Sequence, residues 1–174
     1  RFESEAMLAG IMVDSNNFSG RTGVRTFEAA AWLKRGGADT TEVKRFFQID
    51  PQDFKIKADA IAGADFDDSG IAYAITLGDS GNTQIINAQV ADELLMVKGV
   101  KASIVMGKND RGETLISARS LGNVNVQTIM EKMGGGGHFT SAAAQVTDSI
   151  TDVNEKVRRI VADYLDREKD KDDN

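Results

Sequence analysis

The sequence predicts an α/β unit preceded by a small all-helical piece. Three observations carry this. Up to about residue 62 the apolar residues recur with helical spacing between capping and turn residues. Beyond residue 70, short β-rich runs such as "IAYAITL" and "TLISARS" alternate with amphipathic stretches. Between them "GADFDDSG" (63–70) is polar and reads as a flexible loop, so a boundary falls between about 50 and 68.

In chain order, "ESEAMLAGIMV" (3–13) is a helix of good formers that ends in the turn residues Asp14-Ser15-Asn16-Asn17. "SGRTGVR" (19–25) is a loop, Thr26 is placed to cap a second helix, and Gly36-Gly37 stop it. Thr40 or Thr41 opens a short third helix, "EVKRFF", and Asp50-Pro51 starts a fourth that runs to about Ala62. "IAYAITL" (71–77) is a buried-type strand, followed by the turn Gly78-Asp79-Ser80-Gly81. Residues 83–97 return to helix, with Ile86, Val90, Leu94 and Val97 on one face. "VKASIVMG" and "TLISARS" are strands joined through Gly112. Val126, Ile129, Met130 and Met133 make a short helix that runs into four glycines, and "AAAQVT" is a last strand. A closing helix from about Thr151 carries Val153, Val157, Ile160, Val161 and Tyr164 on one side, before a charged, solvated end, "REKDKDDN".

Composition narrows the function. The 174 residues are 41% apolar and 28% charged with net charge −6, a profile that supports a core but not the basic face of a protein that coats long nucleic acid. A small anionic ligand needs only local donors, so it stays open. With no cysteine, disulfides, thiolate metal sites and Cys nucleophiles are out. No apolar run approaches the ~20 residues of a membrane span. The chain opens at Arg1-Phe2-Glu3-Ser4 without an initiator methionine, which suggests a piece of a longer protein.

The chemistry-bearing candidates are few. Gly134, Gly135, Gly136 and Gly137 run into His138, the sole histidine. Successive glycines can turn several backbone N–H groups toward one anion, a helix N-terminus following them would add its dipole, and His138 could donate to a phosphate oxygen. A linker is the competing reading. Linkers, however, mix glycine with serine and have polar flanks, whereas Met133 and "FTSAAA" look packed. Arg119 and Ser120 end a strand, where arginine suits bidentate phosphate contact; spacing alone does not bring Arg119 to the glycines. Asp14 reads either as helix termination or as a hard metal ligand, with no companion ligands nearby. Arg21, Thr22 and Arg25 offer anion contacts or mere solvation, and Asp67-Asp68 reads as acidic loop. Phe139 fits a core position better than a base-stacking one.

In order, "AGIMVDSNNF", "RTFEAAAWLKRGGAD", "SARS" and "GGGGHFTSAAA" resemble the Asp-His-His (DHH) phosphoesterases, and more narrowly the bacterial membrane-anchored cyclic-di-AMP phosphodiesterases. The resemblance runs from about residue 5 to 146. It implies that residues 1–50 are the end of a DHH catalytic domain and 51–65 a connecting helix. Residues 66–168 would be the DHH-associated substrate-binding domain, a mixed β-sheet flanked by helices, and 169–174 a tail. Asp14 matches a carboxylate that helps hold a pair of Mn²⁺ ions, whose role is to activate a water for in-line attack on a phosphodiester. Arg119, Ser120, Gly134 to Gly137 and His138 match the residues that grip substrate phosphate.

The family's upstream metal motifs are absent, so the chain by itself is expected to be inactive. Smaller departures are Ser15 for threonine and Gln145 where Ala-Ala-Gly is common. The implied ligand is a cyclic dinucleotide, hydrolysed to pApA by the complete protein. Short oligonucleotides or pAp are the first alternative, and a non-catalytic module like that appended to alanyl-tRNA synthetases is the second. The implied setting is the cytoplasmic segment of a membrane-anchored parent, without membrane contact of its own; a homodimer is left open.

Overall fold

The structure is a computed structural model that describes residues 1–20, 22–78 and 81–172. The chain divides into two compact units, Arg1–Asp50 and Pro51–Asn174.

The first unit is helical: α1 (Phe2–Asp14), α2 (Val24–Arg35) and α3 (Thr40–Arg45). Leu8 and Ala9 of α1, Leu33 of α2 and Val43 of α3 close a small core with Ala38. Local chemistry differs from expectation at three helix ends. Asp14 belongs to the last turn of α1, and the reversal comes after it, where Asn16, Asn17 and Phe18 take φ of 46, 53 and 65°. Ser15 fixes that reversal: its hydroxyl donates to the Ile11 carbonyl (2.6 Å) and accepts from the Phe18 amide (3.0 Å). α2 begins two residues before Thr26, whose hydroxyl instead reaches back to accept from the Gly23 amide at 3.3 Å. α3 is capped by Asp39, whose carboxylate accepts from the Thr41 amide at 2.8 Å, because an aspartate just before the helix outcompetes either threonine.

The second unit holds a six-stranded sheet in the order β1-β2-β3-β4-β6-β5. Its elements run α4 (Pro51–Ala62), β1 (Asp65–Phe66), β2 (Ile71–Thr76), α5 (Thr83–Leu94), β3 (Ala102–Lys108), β4 (Thr114–Ser120), α6 (Val126–Glu131), β5 (Gly136–His138), β6 (Ser141–Val146) and α7 (Ile150–Asp172). Only β2 and β3 are parallel, joined through α5; every other pair is antiparallel, so the sheet is mixed.

Alternation along the strands feeds two cores. Ile104, Met106, Ile116, Ala118, Ala142 and Ala144 pack with Ile129 and Met130 of α6 and Val153, Val157 and Val161 of α7. Ala72, Ala74 and Val105 face the other way, onto Ile56 and Ala60 of α4 and Ile86, Val90 and Leu94 of α5. A buried polar tie holds α5 to the sheet. The Thr76 hydroxyl donates to Asn87 Oδ1 (2.6 Å), and Asn87 Nδ2 donates to the Leu115 carbonyl (3.0 Å).

Several expectations for this unit need correction. Segment 63–70 is not all loop. Asp65 and Phe66 pair with β2, and Asp67 Oδ1 accepts from the Ser69 and Ile71 amides (both 2.9 Å), which shapes the turn that follows. α5 ends at Leu94, and Val97, expected on its apolar face, is 43% exposed. α7 runs on to Asp172, carrying the first part of the charged end in helical form. The expected turn residues Asp79 and Ser80 lie outside the described residues.

The largest correction concerns the glycines. Gly134 leaves α6 with φ +78°, its amide bound to the Glu131 carbonyl, but Gly136 and Gly137 then form the edge strand β5. No helix follows them; β6 does. A Cβ on Gly135 would fall onto the Ala143 carbonyl oxygen, and one on Gly137 would sit 2.5 Å from Ala142 Cα and the Ser141 oxygen. The glycines thus admit the backbone of β6 rather than curl around a point.

Two stability measurements follow. Asn87→Ala removes the 2.6 Å acceptor of the Thr76 hydroxyl, leaving it the longer contact to the Met106 carbonyl (3.3 Å), and removes the side-chain donor to the Leu115 carbonyl; it should cost on the order of 1–2 kcal/mol in denaturant unfolding. Gly136 has open space at its Cβ position and no positive φ, so Gly136→Ala should change stability by less than about 0.5 kcal/mol, whereas Gly135→Ala should cost about 1–3 kcal/mol by overpacking.

Candidate functional site

Sheet register joins residues that sequence spacing could not. Arg119 of β4 stands opposite Ser141 of β6, and Ser141 stands opposite His138 of β5. The three form one row across neighbouring strands, with side chains roughly 5 Å apart. Their neighbours Ala118 and Ala142 point into the core under α6 and α7, so by alternation the row lies on the α5 side of the sheet. There α5 reaches only as far as β4: His138 is exposed, as is Ala143 beside Ser141.

Arg119 is held in place. Its Nε lies 3.3 Å from Asp92 Oδ1 on α5, and its Nη1 donates to the Ala118 carbonyl at 3.0 Å. The side chain is only 21% exposed. Burial pushes the Asp92 carboxyl above the usual range, and the Arg119 guanidinium pulls it partly back. The remaining guanidinium donors can serve an incoming anion.

Ser120 goes elsewhere. Adjacent strand residues face opposite sides, and this hydroxyl is buried, accepting from the Gly122 (2.9 Å) and Val124 (3.3 Å) amides. It shapes the loop after β4 instead of joining the row. The β5–β6 turn consists of Phe139 and Thr140, whose carbonyls accept from the Val126 and Ser120 amides, both at 3.0 Å. Phe139, expected in the core, is 49% exposed. β5 is the last strand of the sheet, so the outer edge of its backbone carries no strand partner among the described residues.

The remaining candidates belong to the first unit or lie outside the described residues. Asp14 is exposed at the end of α1 in the first unit, Arg25 is exposed at the start of α2, and Thr22 is half-buried in the loop before it. Arg21 lies outside the described residues. Among the described residues no group of three or more His, Cys, Asp or Glu side chains could hold a metal ion. One exposed carboxylate does not make a two-ion site, so the donors present here do not fit the Mn²⁺ pair that the resemblance implies. Sequence reasoning missed Asp92 and Ser141. A single aspartate on a helix gives no signal, whereas Ser141 could have been found by treating "GGHFTSA" as a two-residue hairpin.

Comparison with known proteins bears on the same region. The family described as the DHHA1 domain matches residues 68–167. The chain is 44% identical over 165 residues to the cyclic-di-AMP phosphodiesterase GdpP of Geobacillus thermodenitrificans, a match covering 94% of this chain and 25% of that one. It is 43% identical over 148 residues to the cyclic-di-AMP phosphodiesterase PdeA of Listeria monocytogenes, covering 85% and 22%. The chain thus spans about a quarter of the length of these relatives. In fold it superposes on an exopolyphosphatase-related protein of Bacteroides fragilis with a TM-score of 0.78 at 16% identity, over 92% of this chain and 50% of that one. With the mixed sheet and its flanking helices in place, the match shows that the chain belongs to the DHHA1 family.

Proposed function

We propose that this chain is the nucleotide-phosphate-binding portion of a longer phosphodiesterase that hydrolyses cyclic di-AMP to pApA. The observation that carries this reading is the row Arg119–Ser141–His138, three hydrogen-bonding side chains aligned on an open part of the sheet. Its relatives' names point to the same ligand class. Arg119 supplies charge-assisted donors to a phosphate oxygen, and Asp92 with the Ala118 carbonyl keeps the guanidinium from wandering. His138 and Ser141 donate from the neighbouring strands, and the unpaired edge of β5 adds backbone groups. Two phosphates of a small cyclic ligand suit such a short row better than a long polyanion does, in keeping with the net charge of −6.

Hydrolysis in this reading belongs to the longer protein, with Mn²⁺ held mainly by residues other than those described. Among the described residues no helix is long and apolar enough to cross a membrane. This segment would be the cytoplasmic part of a membrane-anchored parent.

Calorimetry of this chain with cyclic di-AMP, pAp and a short oligoadenylate tests the assignment. Cyclic di-AMP should bind tightest, and preference for pAp would move the reading to a nano-RNase-like activity. Arg119→Lys and His138→Ala should each weaken binding about tenfold, the scale of one lost charge-assisted hydrogen bond. Affinities equal to the parent's would remove those residues from the site. With Mn²⁺ added, this chain should show no phosphodiesterase turnover above a metal-free blank.

A further inference from the structure

The turn that links His138 to Ser141 raises a separate question. Two-residue hairpin turns favour Asn, Asp and Gly, yet here the first position is phenylalanine. Its backbone is locked, with the Phe139 carbonyl bound by the Val126 amide and the Thr140 carbonyl by the Ser120 amide. Its ring nevertheless stays 49% exposed. The next residue along β4, Leu121, is 63% exposed and leaves the strand just after the Ser120–Thr140 hydrogen bond, beside the same turn. Phe139 directly follows His138, and Leu121 follows Ser120 next to the turn, so two exposed apolar residues adjoin the row along the chain. The unit's other exposed phenylalanines are elsewhere: Phe66 on β1 at the opposite edge of the sheet, and Phe54 on α4.

We propose that Phe139, with Leu121 beside it, is a nucleobase-stacking subsite that adjoins the phosphate row. This rests on the phosphate-binding reading above and deepens it. A base has a π-face that stacks on a phenyl ring, and covering exposed apolar surface drives the contact. The charge pattern fits as well. Phe139 follows His138 directly, so a phosphate held at His138 places its own base within one ribose of the ring. The locked turn presents that ring without a backbone ordering cost on binding. A second copy of this chain would cover the same ring, but it has no use for the donors beside it.

The test uses this chain and a linear dinucleotide with a terminal phosphate, in which one base is a fluorescent adenine analogue. Its control is an abasic dinucleotide with the same phosphates. Binding should quench the fluorescent base. Phe139→Ala should weaken the base-containing ligand about tenfold and leave the abasic ligand within about twofold, while Phe139→Tyr should restore the affinity. Unchanged affinity of Phe139→Ala for both ligands would overturn the subsite and leave the phosphate row standing. So would a concentration-dependent dimer that Phe139→Ala abolishes. If the parent chain binds neither ligand, the phosphate reading falls and takes the subsite with it.

Discussion

Because the β5 backbone lies against β6 with no space for a side chain at Gly135 or Gly137, the chain can reverse through Phe139 and Thr140 alone and return Ser141 opposite His138. The same strand, β6, sits beside β4, so one tight reversal aligns His138, Ser141 and Arg119. A larger side chain at either close glycine would push β5 outward and break the line. The glycines matter here for the atoms they lack as well as for the dihedrals they permit. Gly134 uses its freedom to leave a helix and Gly137 takes φ +150° in the edge strand, while Gly136 has room to spare.

The row sits in an acidic protein, and its cation is already partnered. Asp92 offsets Arg119 in the free chain and keeps the guanidinium in one orientation. An incoming phosphate meets a donor whose conformational entropy is already spent, but it must also share that donor with a carboxylate. Burial raises the Asp92 carboxyl and the neighbouring guanidinium partly lowers it again, so the two charges are tied to each other in the free chain. Below these charges lies the support that fixes β4: the Asn87 tie from α5 and the apolar contacts of Ile116 and Ala118 with α6 and α7.

Much of the fold was legible because apolar spacing reflects what each face must bury. "TLISARS" is β4 residue for residue, and α4 begins at Pro51 as its Asp-Pro start implies. Errors cluster where several local solutions compete. Thr26 acts from inside α2 rather than as its cap, and Asp39 rather than Thr40 or Thr41 caps α3, since a hydroxyl one turn inside a helix and a carboxylate just before it can both satisfy end amides. The edge strand β1 escaped notice because two residues carry no period. At the site, the individual residues Arg119 and His138 could be picked out, but not their neighbourhood. Pairing register is a tertiary property, invisible to spacing along one strand. Ser120 shows the same limit. Its place in the strand was read correctly, yet the face it occupies follows from which core claims Ala118.

The central claim is that the β4–β6–β5 end of the sheet is where this chain meets nucleotide phosphate. Its most direct test is a titration of the isotope-labelled chain with cyclic di-AMP, followed by amide chemical shifts in NMR. The account requires the largest shifts at Arg119, at Gly136 to Ser141 and in the loop after Ser120. Shifts confined to the cleft lined by Asp67–Gly70 and Val97–Lys101, with that row unmoved, would contradict it.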